Sequence, residues 1–216
     1  IIKINERKLE IKKILKKYDT KIRNIKFHNI SSDRIWIRDS GPIFLINKKI
    51  NEKIFLNFKF NGWSKYNNYL RDNKINDFIS KKMKVKKIEP KIKFKKTYKP
   101  IVLEGGAIDV NGKGSILLTE ECLLSKTQQR NKGFKKKDYE KYLSKLLNIT
   151  NFIWLKKGIE GDDTHGHIDD ISRFVNSNTI MTAIENNKKD VNYNILQKNF
   201  DILKKAKNLN GKKFKI

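Results

Sequence analysis

Three carboxylate-bearing stretches, called the acidic stretches below, run against the strongly basic composition of this chain. Residues 158–170 hold five carboxylates and two of the three histidines, without any lysine or arginine. Residues 101–109 hold two carboxylates and again no base, and residues 32–42 place Asp39 three positions after Trp36. Paired carboxylates bind a planar guanidinium by forked hydrogen bonds, and an aromatic ring can cover the flat face of a cation. The three stretches together therefore predict a pocket for a small cationic ligand.

Two alternative interpretations rest on the same residues. Asp and Gly are common in loops, so each stretch taken alone also fits a turn. His165 and His167 could hold a zinc ion together with a carboxylate. The sequence follows the His-x-His-x-Asp-His pattern of metallo-β-lactamase-like hydrolases as far as Asp169, but carries Asp170 where the pattern has a third histidine. Only His28 remains elsewhere in the chain, so we expect no bound metal.

The net charge raises a separate hypothesis, a nucleic-acid binding module. The 216 residues include 50 Lys and Arg against 23 Asp and Glu, a formal net charge of +27. Residues 81–87 and 135–137 are the best candidates for a basic binding face. However, the chain has 43 lysines and only 7 arginines, whereas arginine makes the bidentate contacts of nucleic-acid readers. Lysine shares A- and T-rich codons with the abundant isoleucine and asparagine, so genome base composition accounts for the excess. We expect no specific nucleic-acid partner.

Other classes are excluded by simple counts. No run of 18 apolar residues occurs, so we expect neither a transmembrane helix nor a membrane partner. Cys122 is the only cysteine, which excludes an intrachain disulfide framework and a cysteine-based zinc site. The chain opens on Ile1 and closes on Gly211 followed by an alternating Lys-Phe-Lys-Ile run, which is typical of a strand just begun. We expect a single domain over residues 1–216, truncated at both ends.

The elements that must position the acidic stretches alternate between short strands and single helices. Apolar residues at helical spacing predict helices over 5–17, 72–83, 138–147 and 193–207. β-branched and aromatic runs between turn residues predict strands over 22–28, 35–37, 43–46, 53–60, 101–103, 107–110, 115–119, 152–155, 171–175 and 179–184. Small groups of strands separated by single helices indicate an α/β domain with local sheets.

Five motifs occur in order over most of the chain. They are residues 36–42 (Trp-Ile-Arg-Asp-Ser-Gly-Pro), 103–109 (Leu-Glu-Gly-Gly-Ala-Ile-Asp), 117–125 (Leu-Leu-Thr-Glu-Glu-Cys-Leu-Leu-Ser) with Arg130 and Asn131, 154–159 (Trp-Leu-Lys-Lys-Gly-Ile) and 163–169 (Asp-Thr-His-Gly-His-Ile-Asp). Together they resemble the agmatine deiminases, the family that includes the Porphyromonas-type peptidylarginine deiminase.

The resemblance implies a pentein fold, an α/β-propeller of five ββαβ units about a pseudo-fivefold axis with the site at its centre. About three of the units would lie in this chain. The implied activity is hydrolysis of agmatine to N-carbamoylputrescine and ammonia, in cytoplasmic putrescine biosynthesis, without a metal or organic cofactor. Peptidyl-arginine or another guanidine is the alternative substrate, and the resemblance allows a homo-oligomer.

Roles for individual residues follow from the resemblance. Asp39 and Asp169 would bind the guanidinium nitrogens. His167 would act as general acid toward the departing ammonia and then as general base toward water.

Other motif residues would shape the substrate pocket. Trp36 and Asp163 would line it, with Asp163 where many agmatine deiminases carry Glu near the distal amine. Glu104 is expected to support substrate binding as part of its motif. His165 stands where the family more often has Asp.

The nucleophile is expected outside this chain. In the family a Cys thiolate attacks the guanidinium carbon, ammonia leaves, and water hydrolyses the covalent amidino intermediate. That Cys belongs to a Gly-rich segment that would fall beyond Ile216, whereas Cys122 matches a structural position. We expect the chain as given to hold a partial site without turnover.

Overall fold

The computed structural model describes residues 4–18, 23, 25–94 and 96–216. Its α-helices are α1 (Ile4–Lys17), α2 (Ile37–Ser40), α3 (Asp72–Met83), α4 (Glu120–Leu124), α5 (Lys136–Leu147) and α6 (Tyr193–Lys205). Its strands are β1 (Ile43–Asn47), β2 (Glu52–Leu56), β3 (Lys86–Ile88), β4 (Lys91–Phe94), β5 (Thr97–Pro100), β6 (Asp109–Val110), β7 (Ser115–Thr119), β8 (Asn151–Leu155), β9 (Ser172–Asn176) and β10 (Thr179–Thr182). The predicted α/β class is therefore confirmed.

One ββαβ arrangement repeats along the chain. Strands β1 and β2 pair antiparallel, α3 crosses over, and β3 returns parallel to β2. Strands β6 and β7, helix α5 and strand β8 repeat the same order and the same pairing directions. The arrangement begins a third time with the antiparallel pair β9 and β10 and helix α6, after which Lys215 bridges Thr179 in parallel. A separate hairpin, β4 and β5, lies between the first two units.

Strand β7 lies between two apolar cores. Its residues Ser115–Thr119 are all buried. Ile116 and Leu118 pack into the core formed with α5, whereas Leu117 packs into the core formed with α6. Side chains alternate between the two faces of a strand, and a strand covered on both faces carries a continuous apolar run, here Ile116–Leu118. The second and third units therefore share a packed centre.

Side-chain contacts fix the ends of helix α5 and anchor the chain beside helix α6. In α5, the Asp138 carboxylate accepts from the Lys135 backbone N–H at 2.8 Å as an N-terminal cap, and Asn148 ends the helix with φ 55°. Asn tolerates this left-handed conformation better than most residues. In α6, Asn199 is buried, and its side-chain amide makes two hydrogen bonds to the backbone just after β8. Its oxygen accepts from Lys156 N–H, and its NH₂ group donates to Lys157 O. That contact fixes the start of the acidic stretch 158–170.

Several predicted elements need correction. The predicted strand 35–37 is wrong, because the chain turns into α2 there and Gly41 N donates to Ile37 O at 2.8 Å. The strand predicted over 53–60 ends at Leu56, and that predicted over 101–103 is reduced to one bridge between Val102 and Lys59. Of the predicted strand 22–28, residues 22 and 24 lie outside the described residues, and 25–28 belong to no helix or strand.

The described part of the chain contains no helix that is both long and apolar enough to cross a bilayer.

Candidate active site

The three acidic stretches meet at two short 3₁₀ turns. The turn Gly105–Ala107 packs against α2 on one side and against the turn Ile168–Asp170 on the other. Each turn belongs to one predicted acidic stretch, and α2 belongs to the remaining one. Residues that are more than 60 positions apart in sequence thus share one location, as a pocket for a small cation requires.

His167 lies among three carboxylates. Its side chain is only 3% exposed, and its Nδ1 lies 3.7 Å from Asp39 Oδ1 and 3.8 Å from Asp169 Oδ1. On the other side of the ring, Nε2 lies 3.8 Å from Glu104 Oε2. These separations exceed hydrogen-bond length. Among the described residues, neither His167 Nε2 nor Glu104 Oε2 has a hydrogen-bond partner.

Glu104 forms a buried ion pair behind this histidine. Arg130 Nε donates to Glu104 Oε1 at 3.0 Å, and neither side chain is exposed to solvent. The same guanidinium donates to Gln128 O and to Thr164 O. Because Thr164 belongs to the stretch 158–170, Arg130 ties that stretch to Glu104.

The charges around His167 favour its protonated form. Burial opposes a charge on the ring, but the carboxylates of Glu104 and Asp39 outweigh burial and raise the pKa of His167. Burial likewise opposes ionisation of Glu104, but His167 and Arg130 hold the pKa of that carboxyl below its usual value. The geometry therefore favours an imidazolium facing an ionised Glu104.

Asp39 is held by two fixed donors. Trp63 Nε1–H donates to Oδ2 and Gly106 N–H donates to Oδ1, both at 3.0 Å. Trp63 itself adopts the left-handed φ of 58°, which costs backbone energy that its surroundings must offset. Burial raises the pKa of Asp39, and the charge of His167 opposes that rise. The sequence does not predict a role for Trp63, because the spacing of residues around the Asn61-Gly62 turn gives no sign that Trp63 contacts Asp39.

A cavity of about 300 Å³ opens beside His167. Of the residues assigned to the site from sequence, it is lined by Trp36, Asp39, Asp163, His167 and Asp169; the further lining residues are Arg38, Trp63, Thr164 and Asp170. Trp36 is 58% exposed, which leaves its ring free to cover a ligand. Glu104 is absent from this lining and lies behind His167.

Asp163 faces the cavity but is already bound. Its carboxylate pairs with Lys65 Nζ and accepts from Tyr66 Oη–H at 2.7 Å. The hydrogen bond from Lys65, and then that from Tyr66, lower the pKa of Asp163. The structure thus brings this predicted pocket residue to the cavity with its charge neutralised.

The predicted zinc alternative does not match the arrangement of the histidines. His165 Nε2 lies 3.1 Å from Ser125 Oγ, and its ring lines a different cavity. The described residues contain one cluster with the atom types and spacing of a metal site, formed by Glu104, Cys122 and His167. A cation there would meet the Arg130 guanidinium that already neutralises Glu104.

Cys122 lies outside the lining of the cavity. Its side chain is buried, and burial raises the pKa of its thiol. A buried neutral thiol is a poor nucleophile. Thr119 Oγ1 accepts from the Cys122 backbone N–H at the start of α4, so Cys122 lies in the capped first turn of that helix.

Repeated ββαβ units thus bring a buried histidine and paired carboxylates to one cavity of an α/β protein. The sequence profile of the Porphyromonas-type peptidyl-arginine deiminases matches residues 2–216. The chain belongs to this family.

Relatives and solved structures agree with the family. A Latilactobacillus sakei protein, named provisionally as an agmatine deiminase, is 34% identical over 198 residues, covering 89% of this chain and 51% of the relative. The agmatine deiminase of Pseudomonas aeruginosa is 31% identical, with the same two coverages. A substrate-bound structure of C. jejuni agmatine deiminase, a cysteine-to-serine variant, is 32% identical with a TM-score of 0.75, covering 93% of this chain and 55% of that one. The chain spans about half the length of these relatives.

Proposed function

We propose that the whole protein containing this chain is a guanidine deiminase that hydrolyses agmatine to N-carbamoylputrescine and ammonia. The observation that carries the proposal is the buried His167, with Asp39 and Asp169 on one side of its ring and Glu104 on the other. The names of the relatives supply the substrate. Peptidyl-arginine, which the family name contains, is the second candidate.

The guanidinium would bind between Asp39 and Asp169. A planar cation offers paired N–H donors to a carboxylate on each edge. Trp63 and Gly106 already fix the two oxygens of Asp39, so this carboxylate needs little reorganisation to receive the cation. Trp36 would cover the open face of the guanidinium by a cation–π contact.

The chemistry would then proceed in two balanced steps. A thiolate attacks the guanidinium carbon and forms a C–S bond, and His167 gives its proton to the amino group that leaves as ammonia. The neutral His167 next takes a proton from water, and the resulting hydroxide attacks the same carbon. The C–S bond then breaks to return the thiolate, and the added hydroxyl loses its proton to solvent, which leaves the carbamoyl product. The raised pKa of His167 supplies the acid form that the first step requires.

The attacking thiolate would come from another part of the whole protein. Cys122 is the only cysteine of this chain, and its buried thiol does not reach the cavity. We therefore infer that these 216 residues alone bind the guanidine without turning it over. Glu104 would act through His167, because it holds the imidazolium in place without touching the substrate.

For the whole protein we propose a propeller of five ββαβ units. Support comes from the unit β1, β2, α3 and β3, its repetition in β6, β7, α5 and β8, and its third start in β9, β10 and α6. The site lies at the turns that follow or precede these strands, as a central site shared by several units requires.

An assay of the full-length protein tests the proposed function. Ammonia and the carbamoyl product are measured with agmatine, free arginine and peptidyl-arginine, and we expect the highest kcat/KM for agmatine. The 216-residue chain, assayed in parallel, should release no ammonia. Absence of product from every guanidine in the full-length protein would reject the proposal.

Gly106 provides a further test of the site geometry. An added Cβ there would overlap His167 Nδ1 and lie 2.6 Å from Asp39 Oδ1 and 2.9 Å from Asp169 Oδ1. Gly106→Ala should therefore displace the three groups and lower kcat/KM about 10²-fold, the effect of misplacing reacting groups by about 1 Å. The control is Gly133→Asn, because no atom lies within 4 Å of the added carbon and asparagine tolerates the left-handed φ of 86° at this position better than alanine. Equal activity of the two variants would contradict the predicted geometry.

A further inference from the structure

The two carboxylates beside His167 Nδ1 are held by different means. A Cβ added to Gly106 would lie 2.6 Å from Asp39 Oδ1 and 2.9 Å from Asp169 Oδ1, so these two oxygens converge on one place. Asp39 is fixed there by hydrogen bonds from Trp63 and Gly106. Within the described residues the carboxylate of Asp169 accepts no hydrogen bond. Its orientation must therefore depend on another contact.

Arg38 makes that contact. In the described part of the chain it is the one arginine or lysine within ion-pair distance of Asp169, and its Nε lies 3.6 Å from Asp169 Oδ2. The separation exceeds hydrogen-bond length, but the attraction between full charges extends to it. Arg38 thus acts on Oδ2 of Asp169, as Trp63 acts on Oδ2 of Asp39. In both carboxylates Oδ1 is the oxygen beside His167 Nδ1.

Arg38 is itself held at its backbone and at its guanidinium. A Cβ added to Gly105 would lie 2.1 Å from Arg38 O, so α2 packs directly against the turn Gly105–Ala107. Arg38 Nη2 donates to Ile108 O at 3.3 Å and lies 3.9 Å from Asp109 Oδ1. Asp109 is buried and accepts from Phe174 N–H at 2.6 Å. A side chain fixed in this way can orient the mobile end of a third residue.

The positive charge of Arg38 is compatible with a site for a cation. Its guanidinium lies against the two carboxylates of Asp109 and Asp169, which offset its charge. The side chain is also 48% exposed, so solvent screens what remains. Arg38 can therefore orient Asp169 with little repulsion of a bound guanidinium.

We propose that Arg38 is a positioning residue that aims Asp169 at the guanidinium of the substrate and acts only through this carboxylate. The inference rests on the proposed function, which places the guanidinium between Asp39 and Asp169. It adds a role for the arginine that directly precedes Asp39 in α2. Loss of Arg38 should therefore matter only as long as Asp169 is present to receive the guanidinium.

Single variants of the full-length protein measure the size of this effect. Arg38→Met removes the charge and keeps most of the aliphatic chain. We expect kcat/KM for agmatine to fall about tenfold, less than the about 10²-fold cost of a 1 Å displacement, because Asp169 keeps its place in the turn Ile168–Asp170. Arg38→Lys should recover part of the loss, since an ammonium restores the charge without the fork of the guanidinium.

Arg173→Met is the matched control. Arg173 also contacts Asp109, and its side chain is 45% exposed against 48% for Arg38, but it does not line the cavity beside His167. This control should keep kcat/KM within about twofold, as expected for a surface substitution. Equal losses in Arg38→Met and Arg173→Met would assign the effect to Asp109 and overturn the proposal.

A double-mutant cycle separates positioning from a structural role. Calorimetry gives the Kd for agmatine in the wild type, Arg38→Met, Asp169→Asn and the double variant. Arg38→Met alone should weaken binding about fivefold, within the range for coupled neighbours. The double variant should bind within about twofold of Asp169→Asn, because groups that act as one unit have non-additive effects. Losses that multiply in the double variant, or an unchanged Kd in Arg38→Met, would overturn the inference.

The same cycle distinguishes this inference from the proposed reaction, because binding requires no turnover. A wild type that binds agmatine but releases no ammonia would reject the reaction, and the four Kd values would still decide the role of Arg38. The urea midpoint of Arg38→Met should equal that of the wild type, since an exposed ion pair contributes little to stability. A lowered midpoint together with multiplying losses would show that Arg38 serves the fold and not Asp169.

Discussion

Replacement of His167 by alanine in the full-length protein is expected to lower kcat for agmatine about 10³-fold, within the range for loss of a positioned general acid and base. The ring is 3% exposed and lies between carboxylates on both sides, and among its described neighbours it is the group whose protonated form these charges favour. The measurement is steady-state ammonia release, together with single-turnover formation of the covalent intermediate. Both ammonia departure and hydrolysis should slow, since His167 serves both steps.

The matched control for this variant is His165, two residues earlier in the same stretch. Its ring contacts Ser125 and lines another cavity. Because His165 has a φ of 63°, the suitable replacement is asparagine, which tolerates left-handed backbone. His165→Asn should keep kcat within about threefold, as expected for a group outside the proton path. Wild-type turnover in His167→Ala would remove the acid–base role.

Added imidazole distinguishes a chemical loss from a structural one. The alanine variant leaves a space beside the cavity, and free imidazole can supply a proton there. Partial recovery of kcat with imidazole in His167→Ala, but no effect in Gly106→Ala, would identify a missing acid in the first and a displaced site in the second. Recovery in both variants, or in neither, would contradict this division of roles.

The sequence is informative about this fold wherever local signals are strong. Helix α3 was predicted with its observed bounds, and the core strand β7 was predicted from its apolar run. Strands β3, β4 and β5 were missed, because their many lysines hide the alternation, and β3 forms through parallel pairing with β2. Helix α2 has only four residues, which is too short for a helical period to be visible.

The same contrast applies to the site. The stretches that contain His167, Asp39 and Asp169 are conspicuous in a lysine-rich chain, and the resemblance of their motifs to a known family then singles out these three residues. Trp63 and Arg130 could not be assigned roles, because each acts through a partner that is distant in sequence, 24 residues away for Trp63 and 26 for Arg130. The state of Asp163 was equally hidden, since Lys65 meets it only after folding.

Replacement of Arg130 by methionine is expected to lower the free energy of unfolding of the 216-residue chain by about 3–5 kcal/mol, the cost of leaving one partner of a buried ion pair alone. Arg130 and Glu104 are both fully buried, and the guanidinium also satisfies Gln128 O and Thr164 O. Urea denaturation with tryptophan fluorescence measures the change. The control is Arg71→Met, whose partner Asp33 lies 3.7 Å away at an exposed site, and which should cost at most about 1 kcal/mol.

The dependence of this loss on pH tests the ion pair itself. His167 and Arg130 outweigh burial and hold the pKa of Glu104 below the usual 4.5. Ionised Glu104 therefore adds to the free energy of unfolding at pH values above 4.5. This contribution is lost as the pH falls through the lowered pKa of the folded state. The difference between wild type and Arg130→Met should accordingly be largest near neutral pH and shrink in acid. The double variant Glu104→Gln, Arg130→Met should recover part of the loss, because it removes both charges of the buried Glu104–Arg130 pair. A double variant no more stable than Arg130→Met would mean that the bonds to Gln128 and Thr164, and not the pair with Glu104, account for the stability that Arg130 provides.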